Sequence, residues 1–352
     1  MLATSPPHTS GQSTLRRINT RTVLRALREA DGPLRATDVA LYTGLTRATV
    51  VTILRELVLA SVAFEGPSEA HGGRPSPTFG INGTAFPVIG VALGAEGVAV
   101  RLAGIDGTPL GAARSPLRTR ERAAVLRAIA GLVERVAASA GLPVHRLAGL
   151  CLAAPGVVDA ERIVESRSFE RWVQTDLITG LAGLLGVPVE LENDANAAAL
   201  GVRGREGVNG SYLALQWGPR LGAGVMLAGS LHRGPRGGAG EIGGLLPTGS
   251  LENVESLVGD EPLTAGRAAS PEAVRAVAEV VAPACAVLGL EQVVLTGASS
   301  RMPKAAADLE AALRERGLVG VECLPSPAGE DSVVDGAVVA ATDLAWRSLL
   351  GR

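Results

Sequence analysis

Apolar residues recur at helical spacing in LTRATVVTILRELVLA, where Val50, Ile53, Leu54 and Leu57 stand at i, i+3, i+4 and i+7. The spacing predicts an amphipathic helix with Thr46 as its N-cap. Two more helices are predicted ahead of it. LRRINTRTVLRALREA carries Val23, Leu24 and Leu27 on one face and is broken by GPL, and RATDVALYTG is a short helix stopped by Gly44. Behind it, SVAFEGPSEAHGGRPSPTFGIN holds two short β-like pieces around a Gly/Pro-rich tip, then a linker. Residues 1–13 are mostly Pro, Ser, Thr and Gly and are expected to be a disordered tail, leaving 14–82 as an N-terminal domain.

From Phe86 the pattern changes. VIGVALGAEGVAVRLAGIDG reads as a hairpin of buried strands, while LAGLCLAAPGVVD and VPVELENDANAAALG read as strands running into a turn or helix. SYLALQWG, GAGVMLAG and EQVVLTGASS are further strands, and DSVVDGAVVAATDLAWRSLL is a closing helix. Strands and helices alternate over residues 83–352, which predicts an α/β body. Aromatic residues make up only 3% of the chain and glycine 45 positions, so the core must be Ala, Val and Leu packed closely. No run of about 18 apolar residues occurs, so no membrane span is expected and a cytoplasmic protein is. Cys151, Cys285 and Cys323 lie far apart with no Cys-x-x-Cys spacing, as expected of buried apolar residues and not of a disulfide framework or a zinc site.

Two short helices joined through a glycine, the second amphipathic, describe a helix-turn-helix, and the following strands would form a wing. About 100° per residue away from the apolar stripe, the outward face holds Ala48, Val51, Thr52 and Arg55, with Arg47 in the first turn. Arg47 could pair with a guanine edge, Val51 could touch a thymine methyl, and Thr52 could reach a base or a phosphate. Arg16, Arg17 and Arg21 are candidate phosphate contacts, and Arg74 in GGRP could enter a minor groove. Residues 1–82 carry nine arginines against six Asp and Glu, a net +3 on a chain of net -2, which agrees with nucleic-acid contact at that end. A small packing domain with solvated arginines has the same pattern.

VELENDANAAALG, with LCLAAPGVVD upstream and GGAGEIGG downstream, resembles the ROK family, and the likeness runs from about Leu15 to the last helix. That family joins sugar-responsive repressors and sugar kinases on an actin-like, hexokinase-like fold, which implies an α/β body of two lobes here, and its repressors begin with a winged helix-turn-helix. The resemblance implies that Asn193 and Asp194 grip sugar hydroxyls, that Glu241 and Glu252 are further sugar ligands, and that Ser168 is a polar contact. Carboxylates and an amide suit a polyol because together they accept and donate several hydrogen bonds. Taken alone, Asn193-Asp194 would read as a helix N-cap and the two glutamates as solvated loop residues.

The departures from the family change the expectation. Gly244 stands where the family has His after Glu-x-Gly, and only LLPTG, with Ser250 at the last cysteine's place, replaces the Cys-rich zinc segment. Zinc needs about four Cys or His ligands, so no metal and no cofactor are expected. The two glycine loops that would hold ATP phosphates are also altered: Ala92, Ala95 and Glu96 interrupt the first, Pro219 and Arg220 the second. The expected function is a sequence-specific repressor that senses a sugar, without kinase activity. Its partners would be a double-stranded DNA operator and a sugar effector, and it would be a homodimer or homotetramer. A ROK sugar kinase that kept a DNA-binding head, and a regulator that no longer binds sugar, are the alternatives.

Overall fold

A computed structural model of the chain describes residues 9–30, 32–69, 76–94, 97–159, 161–218, 220–259, 268–302 and 304–351. The chain divides into two compact units. One comprises Met1–Pro87, Gly104–Thr108 and Ala345–Arg352, the other Val88–Ala103 and Pro109–Leu344.

The first unit contains α1 (Thr9–Glu29), β1 (Leu34–Arg35), α2 (Ala36–Thr43), α3 (Arg47–Leu59), β2 (Ala63–Glu69) and β3 (Ser76–Ile81). β2 and β3 form an antiparallel hairpin, and β1 adds antiparallel to β3, which is the wing. The residues of the helical stripes are the ones buried: Val23, Leu24 and Leu27 of α1, Val39 of α2, and Val50, Ile53, Leu54 and Leu57 of α3. Gly44 ends α2 in the left-handed region at φ 69°, where a side chain would be strained. Thr46 caps α3 by accepting the Thr49 N–H at 3.2 Å. The expected disordered tail is corrected in part: α1 begins at Thr9, so residues 9–13 belong to its first turns. Ser, Thr and Gln cost a helix only tenths of a kcal/mol each, roughly, so this polar composition does not forbid one. Arg28 of α1 lies over the Trp346 ring at 5.1 Å, a cation–π contact within the same unit.

The second unit follows with β4 (Val88–Leu93), β5 (Gly97–Ala103), β6 (Pro109–Pro116), α4 (Arg122–Ser139), β7 (Gly149–Ala154), β8 (Val157–Asp159), β9 (Arg162–Glu165), α5 (Leu177–Leu185), β10 (Val189–Asn193) and α6 (Asp194–Val202). Then come β11 (Tyr212–Trp217), β12 (Leu221–Leu227), β13 (Ser230–His232), α7 (Val254–Gly259), α8 (Pro271–Leu288), β14 (Gln292–Thr296), α9 (Ala305–Glu315), β15 (Glu322–Pro325) and α10 (Ser332–Leu350), whose residues from Ala345 on count with the first unit. Apart from the antiparallel pair β8 and β9, they build two five-stranded sheets, ordered β10-β7-β4-β5-β6 and β13-β12-β11-β14-β15. The wiring is the same in both. An antiparallel meander of three strands is extended on its first strand by two parallel ones. β7 is buried along its whole length, which is why GLCLAA reads as an unbroken apolar run and not as an alternation.

The helices α4, α5, α8 and α9 do not stand out in the pattern read above. Each nevertheless buries apolar positions at helical spacing, such as Val125, Ile129, Leu132 and Val136 in α4 and Leu177, Leu181 and Leu185 in α5, so the signal is present in the chain. α6 and α10 cross at contact distance. A Cβ on Gly201 would run into the Ser332 carbonyl oxygen, and one on Gly336 into that of Ala197. This crossing fixes α6, and with it the junction of β10 and α6 at Asn193 and Asp194.

Candidate functional site

A cleft of about 210 Å³ opens in the second unit where β10 runs into α6. This is below the 300–1,000 Å³ usual for drug-sized ligands, roughly the scale for a single sugar ring. Its walls come from the turn after β7, the segment after β9, the β10–α6 junction, the β11–β12 turn, residues 241–244 and α7.

Asn193 is the N-cap of α6. Its Oδ1 accepts the Asn196 N–H at 2.8 Å, and its Nδ2 donates to the Gly156 carbonyl at 2.9 Å. An amide offers two N–H groups and two lone pairs, so one of each is left for a ligand. The capping role and a pocket role are therefore compatible. Gly156 sits at φ 128°, and a Cβ there would meet the Glu165 carbonyl oxygen, so only glycine lets this turn lie against the end of β9.

Asp194 follows in the first turn of α6. Its Oδ1 accepts the adjacent Ala195 N–H at 3.0 Å, and Gln216 Nε2 lies 3.4 Å from its Oδ2. Burial pushes its pKa up to about 6, against the pull of these N–H groups and of Arg220. Gln216 Oε1 is buried with no hydrogen-bond partner, an acceptor that a donor on a bound molecule would satisfy.

Glu241 lies on the loop that leaves β13. The loop is pinned by two glycines in the left-handed region: a Cβ on Gly237 would strike the Val158 carbonyl oxygen, and one on Gly240 that of Ala223. Burial raises the Glu241 pKa, and the neighbouring Asp194, Glu165 and Glu255 raise it further, while Arg167 opposes them. Glu241 still keeps solvent contact within the cleft. Ser168, nine-tenths buried, lines the same cleft.

Glu252 is corrected. It is exposed and does not line the cleft; Glu255 does. The short loop closes on itself, with Ser250 Oγ donating to the Glu252 carbonyl at 2.9 Å and accepting its N–H at 3.0 Å. α7 then starts at Val254, and its first turn carries Glu255 inward. The signal was present in LENVESLVG: Val254 and Val258, both buried, define a helix face beside which Glu255 falls. Arg167, Glu165 and Gln216 also line the cleft and were not anticipated. Arg220 is hydrogen-bonded to Glu255 as an ion pair, and Arg167 Nη1 stands 3.6 Å from the same Glu255 oxygen. Ala95, Glu96 and Pro219, expected to spoil the phosphate loops, lie outside the described residues. Among the described residues no group of three or more His, Cys, Asp or Glu is placed to hold a metal.

In the first unit, Arg47, Ala48, Thr52 and Arg55 are exposed on one face of α3. Two expectations need correction there. Val51 is half-buried, because it borders the apolar stripe, and offers only part of its side chain. Thr52 Oγ1 donates to the Ala48 carbonyl at 2.9 Å, so it can accept a hydrogen bond but has no proton for a phosphate. Arg16 is ion-paired with Glu56, and the Arg21 guanidinium fills the space beside Gly351. Arg17 is exposed. Arg74 lies outside the described residues. Among the described residues no helix is long and apolar enough to cross a membrane.

Residues 88–257 match the ROK family, and residues 19–59 match the IclR helix-turn-helix domain. The chain is 26% identical over 234 residues to a xylose repressor of Caldicellulosiruptor bescii, covering 65% of this chain and 58% of that one. It is 24% identical over 237 residues to the xylose repressor of Bacillus subtilis, covering 66% and 61%. The chain thus spans about three-fifths of the length of these relatives. A glucokinase of Streptomyces coelicolor is 32% identical over 185 residues, covering 51% of this chain and 56% of that enzyme. Among solved structures, a ROK family transcriptional regulator, a homologue of the E. coli MLC protein, superposes with a TM-score of 0.71 at 18% identity, covering 96% of this chain and 98% of that one. The ROK hexokinase of Thermus thermophilus superposes with a TM-score of 0.58 at 26% identity, covering 73% and 98%.

Proposed function

We infer that this chain, whose residues 88–257 match the ROK family, is a sequence-specific DNA-binding repressor whose cleft senses a sugar. The observation that carries the reading is the pairing of an arginine-bearing recognition helix with a cleft of carboxylates and amides in a single chain. α3 presents Arg47 in its first turn, where a recognition helix meets base edges, and Arg55 two turns on, within reach of the backbone. Two copies of the head in a homodimer would read half-sites about one helical turn apart. The protein would then act where its operator is, in the cytoplasm.

In the cleft, Asn193, Asp194, Glu241 and Ser168 are the proposed sugar ligands, with Glu255 in the role expected of Glu252. Sugar hydroxyls donate to the carboxylates and accept from the free Asn193 N–H. A ligand lacking a hydroxyl would leave a buried polar group unpaired, which is the source of selectivity. Kinase activity does not fit this cleft well. Phosphate transfer needs bare backbone N–H groups around the phosphates, and the β11–β12 turn instead carries the Arg220 side chain, tied to Glu255. Asp194 is then a ligand anchor and not a base.

Gel shifts of the protein on DNA from upstream of its own coding region test the reading, with and without xylose as first probe. A specific complex is expected, weakened by salt. Arg47→Ala should lose about 10- to 100-fold in affinity for it. No specific complex on that DNA would sink the repressor reading. The glucokinase likeness favours one rival, which coupled ADP release over hexoses, pentoses and amino sugars would reveal. Turnover abolished by Asp194→Asn would establish the kinase instead.

A further inference from the structure

We propose that the effector is a sugar bearing an anionic substituent, a carboxylate or a phosphate, which Arg167 receives at the border between the cleft and a second, basic cavity. The inference rests on reading the cleft as a sugar site.

The first observation is the state of Arg167. Arg220 already holds Glu255 by a hydrogen bond, and Arg167 stands 3.6 Å from that same oxygen, an ion pair without a hydrogen bond. Among the described residues no hydrogen bond engages the Arg167 guanidinium, which is half-exposed. It is a planar fork of five N–H donors facing a cleft whose other charged groups, apart from the engaged Arg220, only accept. Gly244 adds no side chain beside it: a Cβ there would be 3.5 Å from Arg167 Nη2, so the space next to the fork is open backbone.

The second observation is what lies on the other side. Arg167 and Ser168 also line a cavity of about 750 Å³ that begins at the N-terminus of α4. Its charged walls are Arg120, Arg122, Arg167 and Arg171 against Glu121 and Glu170. Glu121 is spent on capping α4, accepting the Ala123 and Ala124 N–H groups at 2.9 and 2.6 Å. Arg120 is held in place: its Nη1 donates to the Ser168 carbonyl at 3.3 Å, its guanidinium lies 6.0 Å from the Phe169 ring centre, and its own carbonyl accepts the Trp172 indole N–H at 3.2 Å.

The two cavities therefore have opposite polarity across one residue. An anion set among Asp194 and Glu241 would be repelled. The same anion beyond Arg167 faces a wall that also carries Arg120, Arg122 and Arg171, and a guanidinium such as that of Arg167 can take a carboxylate or phosphate through two N–H groups. A neutral sugar fills only the acidic half. A sugar acid or sugar phosphate satisfies both halves, its hydroxyls on the carboxylates and its charged group on Arg167.

Calorimetric titration of the full chain tests this with xylose, glucose and N-acetylglucosamine, their phosphates, the corresponding uronates, and inorganic phosphate. At least one anionic form should bind about tenfold tighter than its neutral parent, equal to about 1.4 kcal/mol. The phosphate and uronate arms identify which anion. Arg167→Ala and Arg167→Gln should both bring that ratio close to one, while Arg118→Ala, an exposed arginine outside both cavities, should leave it unchanged. Neutral sugars binding as tightly as every anionic form would overturn the inference and leave the sugar-sensing reading standing. Inorganic phosphate binding as tightly as the sugar phosphates would overturn it too, by showing an anion site without the sugar. No binding of any sugar would remove the sugar-sensing reading itself.

Discussion

The recognition helix and the cleft make their surfaces in opposite ways. α3 is one segment of thirteen residues whose buried face, Val50, Ile53, Leu54 and Leu57, fixes its exposed face by helical geometry alone. The cleft draws its carboxylates from positions 165, 194, 241 and 255, spread over ninety residues and four separate elements or loops. A surface made by one helix is set by local periodicity. A surface assembled from distant segments depends on where each loop is turned, and here that is decided by close backbone contacts at Gly156, Gly237 and Gly240. The difference predicts that damage to the head should be local to DNA binding, while the cleft should respond to charge and ionisation.

The largest effect is expected in the head's core. Leu54 is fully buried, and Leu54→Ala should cost about 2–5 kcal/mol through lost burial and the cavity left behind. The specific gel shift should vanish while the ligand-induced rise in melting temperature persists. Loss of both together would mean that head and cleft do not act as separable surfaces.

Asp194 gives the next effect, and its sign is set by linkage. Its folded pKa of about 6 lies above the ordinary carboxylate value, so between pH 4 and 6, roughly, the native state holds a proton that the unfolded chain has released. The associated stability is complete below that window and is lost as pH rises through about 6. At pH 8 the ionised side chain then costs on the order of 3 kcal/mol. Asp194→Asn should raise urea stability at pH 8, change it little near pH 4, and weaken sugar binding. A variant as stable as wild type at both pH values would show that burial does not strain this carboxylate.

The smallest effect returns to the head. Thr46→Ala removes the cap on the Thr49 N–H and should cost about 1 kcal/mol, read as a lower melting temperature, while Thr46→Asn should restore it. A cost near zero would mean that packing, and not the cap, sets where α3 begins.

Legibility followed the same division. The stripe of α3, its cap at Thr46 and the stop at Gly44 are visible in the chain because each is a rule about neighbours within a few residues. Asn193 as a cap is visible for the same reason. That Asn193, Asp194, Glu241 and Ser168 would share one cleft was legible only through the resemblance to the ROK family, since nothing local joins positions 168, 193 and 241. Where the chain departs from that family, the resemblance misplaced a residue. With the loop shortened to LLPTG, Glu252 turns out to solvent and Glu255 enters one helical turn later. Thr52 shows a related limit. Its position on the exposed face was read correctly, but its hydroxyl bonds its own helix at Ala48.

The sequence alone determined the helices of the head, the direction in which α3 faces, and the identity of the capping residues, because hydrophobic periodicity and capping act over one or two turns. Only the tertiary structure decided that Glu255 and not Glu252 lines the cleft, that Arg220 is hydrogen-bonded to Glu255 while Arg167, among the described residues, makes no hydrogen bond, and that Gln216 presents a buried acceptor. Those outcomes depend on the approach of segments far apart in the chain. That approach is set by backbone contacts too close for any side chain, which no spacing along the sequence records.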